Sequence, residues 1–188
     1  PEQVQPTAWL RVNDEPVVWE ACHTFSGSWG YHRDEDTWKS PEQLIMLLVN
    51  TVSCGGNLLM NVGPTPQGTF DPRAIQALSV YHDWMERHSA AIYGCTQSEF
   101  AAPQDCRLTQ NSKKVYVHIF AWPFKHLHLP GMGGKVAYAR FLHDGSEVPI
   151  TGSAWETRQL ALPPDEQLLF LPVKKPEVIV PVIELTLI

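Results

Sequence analysis

Residues 40–88, SPEQLIMLLVNTVSCGGNLLMNVGPTPQGTFDPRAIQALSVYHDWMERH, constrain the fold more than any other stretch of the chain. Ser40 is a natural helix N-cap, Pro41 suits the first helical position, and Glu42 favours the positive end of the helix dipole. Leu44, Leu47, Leu48 and Val52 then recur at helical spacing until Gly55-Gly56 stops the helix. NLLMNV is a short apolar run closed by Gly63-Pro64, which predicts a buried parallel strand near residues 57–62. TPQGTFDP reads as a turn-rich loop. Pro72 opens a second helix reaching about His88, with Ile75, Leu78, Tyr81 and Met85 expected to face inward. Helix, buried strand, loop and helix in this order is the local grammar of an α/β barrel.

After Tyr93 the pattern changes. KKVYVHIFAW, KVAYARFL, WETRQLAL, EQLLFLPV and EVIVPVIELTLI alternate or run apolar over short spans, separated by Pro, Gly and Asp turns. That spacing predicts an antiparallel β-sandwich, and HLHLPGMGG reads as a further surface strand. The expected fold class is therefore α/β followed by all-β. Residues 1–94 are read as the C-terminal portion of a (β/α)8-like barrel, and residues 95–188 as a small antiparallel β-sandwich domain. A whole barrel takes about 250 residues. The 188-residue chain is thus expected to be part of a longer protein, with the rest of the barrel supplied by a missing N-terminal segment.

Composition narrows the function classes. A net charge of -6 without a run of Lys or Arg argues against nucleic acid and anionic membrane surfaces. No apolar run approaches the roughly 18 residues of a membrane span, so no membrane insertion is expected. VGPTPQG has the wrong spacing for a phosphate loop, and no cofactor is expected. Cys22, Cys54, Cys95 and Cys106 lie far apart without CxxC spacing; no metal is expected, and their disulfide pairing stays open.

WEACHTFSGSWGY, residues 19–31, places Glu20 between Trp19 and Trp29 on what reads as an irregular loop, with His23 and Tyr31 beside them. Apolar surroundings favour the protonated form of a carboxyl, and a protonated carboxyl can act as a general acid. Indole faces offer a platform for the C–H face of a sugar. The simpler reading is a glutamate bonded to backbone and two core tryptophans. His23, a lone loop histidine, reads equally as a solvated side chain. Asn61 falls near the C-terminal end of the expected strand, where barrel active sites open, and is equally a cap on the next turn.

Taken in order, Trp19-Glu20, Ser28-Trp29-Gly30-Tyr31, Lys39-Ser40, Val52-Ser53, Gly55-Gly56-Asn57-Leu58-Leu59, Asn61-Val62-Gly63-Pro64-Thr65, Trp84 and Ala91-Ile92-Tyr93-Gly94 resemble the α-L-fucosidases of glycoside hydrolase family 29. The resemblance covers residues 1 to about 96; Cys54 and Met60 depart from the residues usual there. It implies a retaining exo-hydrolase acting on fucosylated glycans. Such chemistry uses two carboxyl groups about 5–5.5 Å apart, one nucleophile and one acid/base. The family's nucleophile is an Asp on an earlier strand that no residue here matches, so the isolated chain is expected to be inactive. For the acid/base, Glu2 in PEQVQP resembles the position used in one branch and Glu20 that used in another. The SWGY sequence looks like the first branch, which favours Glu2 and leaves Glu20 as a site-ordering contact. Trp29 resembles the aromatic that packs on the C6 methyl of fucose, with Trp19, His23 and Asn61 as further candidate substrate contacts. Family resemblance implies a secreted, periplasmic or lysosomal setting. The alternative is a non-catalytic carbohydrate-binding or scaffolding module.

Overall fold

The computed structural model of the chain describes residues 6–153, 160 and 162–188. A hairpin of β1 (Arg11–Val12) and β2 (Glu15–Pro16) turns through Asn13 and Asp14, both at positive φ. Short polar side chains tolerate that region best among non-glycine residues. The chain then enters β3 (Glu20–Thr24), which pairs in parallel with β4 (Asn57–Asn61) in the register Glu20↔Asn57 to Thr24↔Asn61. The expectation of an irregular loop at WEACHT is therefore corrected. EACHT carries neither an apolar run nor an alternation, so only its partner reveals it as a strand.

Between the two strands runs α1 (Pro41–Ser53). Gln43 N donates to Ser40 Oγ, and Ser40 N donates to the Gln43 side chain, a reciprocal cap that satisfies two otherwise orphaned donors. Leu44, Ile45 and Val49 are fully buried. After β4, α2 (Pro72–His88) starts at an Asp71 N-cap and buries Ala74, Ala77, Trp84 and His88, followed by a 3-10 turn at Ser89–Ala91. The larger stripe expected inward does not lead the packing. Ile75 and Leu78 are exposed, and with Tyr81 and Met85 half-buried, Leu78 borders an apolar groove of about 330 Å³ against Leu48, Leu58 and Met60.

The remainder is β-structure: β5 (Thr96–Gln97), β6 (Cys106–Asn111), β7 (Lys114–Ile119), β8 (His126–Pro130), β9 (Val136–Phe141), β10 (Glu166–Phe170) and β11 (Val182–Leu187). One antiparallel sheet has the order β5-β6-β7-β11-β9, and β10 pairs antiparallel with β8. The expected strand WETRQLAL falls largely outside the described residues. Strand period sorts the five-stranded sheet into two faces. Val115, Val117, Ile183 and Leu185 meet Leu127, Leu129 and Leu169 of the two-stranded sheet in one core. Each such fully buried side chain contributes roughly 1.5–3 kcal/mol.

The alternate residues face the helices. Tyr116 and Val182 pack with Ile45, Val49 and Trp84. Thr109 Oγ1 donates to the Ala91 carbonyl at 2.7 Å, Arg107 Nε to Asn50 Oδ1 at 2.7 Å, and Trp84 Nε1 to the Val180 carbonyl at 3.2 Å. On the same face Glu184 is buried with Lys114 at 2.8 Å and Arg140 at 3.2 Å. Burial alone would raise its carboxyl, but the two cations outweigh it and hold it below the usual range. The helices and the sheet thus share a core and several polar ties.

Candidate active site

Because β3 and β4 are parallel, their C-terminal ends, Thr24 and Asn61, lie side by side. In parallel sheets that end is where ligands gather. Alternation places Glu20, Cys22, Thr24, Asn57, Leu59 and Asn61 on one face. Ala21, His23, Leu58 and Met60 take the other, which continues into Phe25 and Val62 and packs with Leu44, Ala77 and Tyr81. His23 therefore stands on the helix-covered face and not on that of Asn61. Burial, then the Lys39 charge, holds its imidazole below the ordinary value.

The loop leaving β3 is fixed through its main chain. Lys39 N donates to the Phe25 carbonyl at 2.9 Å, and Lys39 Nζ donates to the carbonyls of Thr24 at 2.8 Å and Ser26 at 3.0 Å. Gly27 N donates to Thr37 Oγ1 at 2.9 Å. Asn61 Nδ2 donates to the Trp29 carbonyl at 2.6 Å. A Cβ on Gly63 would lie 2.6 Å from Tyr31 N and 2.7 Å from Gly30 C, so the loop backbone rests directly on that glycine. The NVG and SWGY motifs are thus the two halves of one contact. It presents the Trp29 side chain, 55% exposed, at the C-terminal ends of the strands.

A brace supports this loop from below. Arg73 meets Asp71 through Nε–Oδ1 at 2.9 Å and Nη2–Oδ2 at 2.8 Å, and its Nη1 donates to the Glu35 carbonyl at 2.8 Å. The guanidinium also lies 4.5 Å from the Trp38 ring centroid. Hydrogen bonds from Arg73 hold the Asp71 carboxyl down at about 2. The space left between loop and strand, bounded by Ser26, Ser28, Tyr31, Glu35 and Asn61, is about 20 Å³. That volume suits a water and is far too small for a sugar.

Trp19 and Glu20 stand at the opposite end. Trp19 Nε1 donates to the Cys54 carbonyl at 3.0 Å, where α1 ends, and its ring covers Gly56 so closely that a Cβ there has no room. Trp9 covers Gly55, at φ +72°, in the same way, and its Nε1 donates to the Val17 carbonyl at 2.9 Å. The two glycines that stop α1 are seats for two indoles. Glu20 opens β3 and is exposed. At about 3.3 Å per residue its Cα is about 13 Å from that of Thr24. Among the described residues no apolar enclosure forms around Glu20. The structure brings Trp29 and Asn61 together and leaves Trp19 and Glu20 at the far end; Glu2 lies outside the described residues.

All four cysteines are free thiols, and burial pushes Cys95 to about 11 and Cys106 to about 12. Among the described residues one group brings three ligand-type atoms within 4.8 Å of one another, His82, Asp83 and Glu86, all exposed on α2. No helix among them is long and apolar enough to cross a membrane. Lys39, Thr37 and Arg73 have roles that motif reading missed. Their signal, a Lys and a Thr just before a helix cap, is common at surfaces and points nowhere without the loop in place.

The α-L-fucosidase family model matches residues 2–90, the segment that holds the β3–β4 pair, the Trp29 loop and α2. The chain is similar to the C-terminal region of α-L-fucosidases. Human plasma α-L-fucosidase is 36% identical over 116 residues, which are 57% of this chain and 25% of that protein. The α-L-fucosidase of Dictyostelium discoideum is 40% identical over 78 residues. Among solved structures, α-L-fucosidase isoenzyme 1 from Paenibacillus thiaminolyticus superposes with a TM-score of 0.91 at 36% identity, covering 100% of this chain and 44% of that one. A family 29 α-L-fucosidase from Bacteroides thetaiotaomicron, trapped as a covalent intermediate with a 2-fluoro-fucosyl fluoride, gives 0.78 at 28% identity and is covered over 38% of its length. The chain therefore spans about a quarter of the curated fucosidases it matches and under half of these two structures. Its fold is the C-terminal portion of a fucosidase barrel with the β domain that follows.

Proposed function

We propose that the protein carrying this region is a retaining α-L-fucosidase that releases α-linked L-fucose from glycans, and that residues 1–94 contribute the closing part of its catalytic barrel while residues 95–188 form its β-sandwich domain. The observation that carries the reading is the contact of Asn61 and Gly63 with the Trp29 loop at the C-terminal ends of two parallel strands. It holds an open indole where barrel ligands bind, suited to cover the methyl of a deoxy sugar. Burying one methyl contributes about 0.8 kcal/mol. Asn61 serves in this reading by holding the Trp29 carbonyl, and Trp19 and His23 serve packing.

The rest of the barrel comes from the segment absent from this chain. A two-stranded parallel sheet with Leu59 45% exposed in β4, and Val18 92% exposed just before β3, supports further strands and helices around it. The nucleophile belongs to that segment, and the isolated chain is inactive. Glu2 is favoured as the acid/base, because Glu20 sits at the wrong end of β3 to share a site with Trp29.

The test follows hydrolysis of an aryl α-L-fucoside by the full-length protein with NMR. First-formed α-L-fucose is expected, since two displacements retain configuration. First-formed β-L-fucose would reject the retaining mechanism. Saturable fucoside binding without turnover would favour the carbohydrate-binding module. Glu2→Ala, and not Glu20→Ala, should be rescued by azide with formation of α-L-fucosyl azide.

A further inference from the structure

We propose that Lys39 is a positioning residue for sugar recognition: by holding the Thr24 and Ser26 carbonyls, its ammonium sets the exit of β3 and with it the place of Trp29. The inference rests on the fucoside-binding reading above.

A chain leaving a sheet strips successive carbonyls of their ladder partners, and those groups need others. Here three consecutive carbonyls are served by one residue. The Lys39 main-chain N–H takes Phe25, and its ammonium takes Thr24 and Ser26 on either side. A compact ammonium with three rotatable donors suits such a pair of flanking oxygens. Among the described residues no carboxylate lies within 4.0 Å of Nζ, so the charge serves the carbonyls and not a surface ion pair. Burial works against that charge and lowers the Lys39 pKa, with Glu35 opposing the shift.

The tie continues toward Trp29. Gly27 N donates to Thr37 Oγ1, two residues before Lys39, so residues 24–27 and 37–39 are fastened along their length. Trp29 follows two residues later, and its carbonyl is the one Asn61 holds. The backbone that carries Trp29 is thus held from both sides, by Lys39 at the strand exit and by Asn61 at the far end.

The test uses the full-length protein labelled with 5-fluorotryptophan, the Trp29 19F resonance being assigned by its loss in Trp29→Phe. Lys39→Met is expected to shift or broaden the Trp29 resonance while leaving that of Trp84, deep in the helix–sheet core, in place. Lys39→Arg, which keeps charge and donors, should return it toward wild type. In parallel, Lys39→Met should raise KM for an aryl α-L-fucoside more than it lowers kcat. It should also reduce the preference over the analogue lacking the methyl by up to about fourfold, the factor equivalent to one buried methyl. An unmoved Trp29 resonance overturns the proposal. So does movement of all tryptophan resonances with equal losses on both substrates, which marks a role in stability alone. If the Met variant does not fold, Lys39→Gln takes its place under the same outcomes. If the wild-type protein leaves fucosides intact, the fucosidase reading falls, while the Trp29 resonance still decides the role of Lys39.

Discussion

Replacing Gly63 by alanine in the full-length protein tests the motif contact directly. The new Cβ would sit 2.6 Å from Tyr31 N and 2.7 Å from Gly30 C, both backbone atoms that no rotamer change can move. Reaching an ordinary carbon contact of about 3.5 Å requires the loop to retreat by about 0.9 Å. The Asn61 Nδ2–Trp29 O bond, now 2.6 Å, would lengthen toward about 3.5 Å, beyond hydrogen-bonding range. Its loss costs about 1 kcal/mol, and the overpacking a further 1–3 kcal/mol. Urea unfolding should therefore show about 2–4 kcal/mol of destabilisation, with a higher KM for fucosides as Trp29 moves. Gly30→Ala is the control, since nothing lies within 4 Å of a Cβ there. Equal effects of the two substitutions, or a neutral Gly63→Ala, would refute the reasoning.

Two further outcomes follow from the packing. His88 is fully buried, with Nδ1 donating to the Trp84 carbonyl at 2.8 Å, and burial lowers its pKa to about 4. An unfolded histidine titrates near 6.5. The native state thus binds fewer protons between these values, and stability is lost as pH falls from about 6.5 toward 4. His88→Phe should flatten that limb of the urea midpoint against pH by about one proton, or about 1.4 kcal/mol per pH unit; an unchanged slope would count against it. Trp19→Ala should destabilise by on the order of 3 kcal/mol, because Gly56 and the Cys54 carbonyl lose their cover. It should leave the preference for the methylated sugar intact, and a changed preference would place Trp19 in the site.

The helices were legible in the sequence because their signals are local. Ser40, Pro41 and Gly55 mark α1, Pro72 marks α2, and the bounds of both are as expected. NLLMN was legible as a strand because its short apolar run is closed by Gly63-Pro64, although the burial that run suggested is not seen among the described residues, where Leu59 is 45% exposed. Its partner EACHT was not, because Glu20, His23 and Thr24 are polar, Ala21 is small and its pairing crosses α1. That one miss altered the expected grouping of residues. Read as loop, residues 19–31 put Trp19, Glu20 and Trp29 together, whereas a strand of five residues separates them. The inward face of α2 was missed for a different reason. Ala74 and Ala77 are weak hydrophobic signals beside Ile75 and Leu78, yet they are the ones buried. Lys39 and Gly63 act on main-chain atoms of the loop, which leave no trace in residue periodicity.

The central claim, that Trp29 covers the sugar methyl at the C-terminal ends of β3 and β4, meets its most direct test in Trp29→Ala of the full-length protein. The measurement is kcat/KM for an aryl α-L-fucoside against that for the analogue lacking the methyl. The account predicts that the preference for the fucoside falls by about fourfold or more, since a methyl worth about 0.8 kcal/mol loses its cover. Equal losses on both substrates would contradict it.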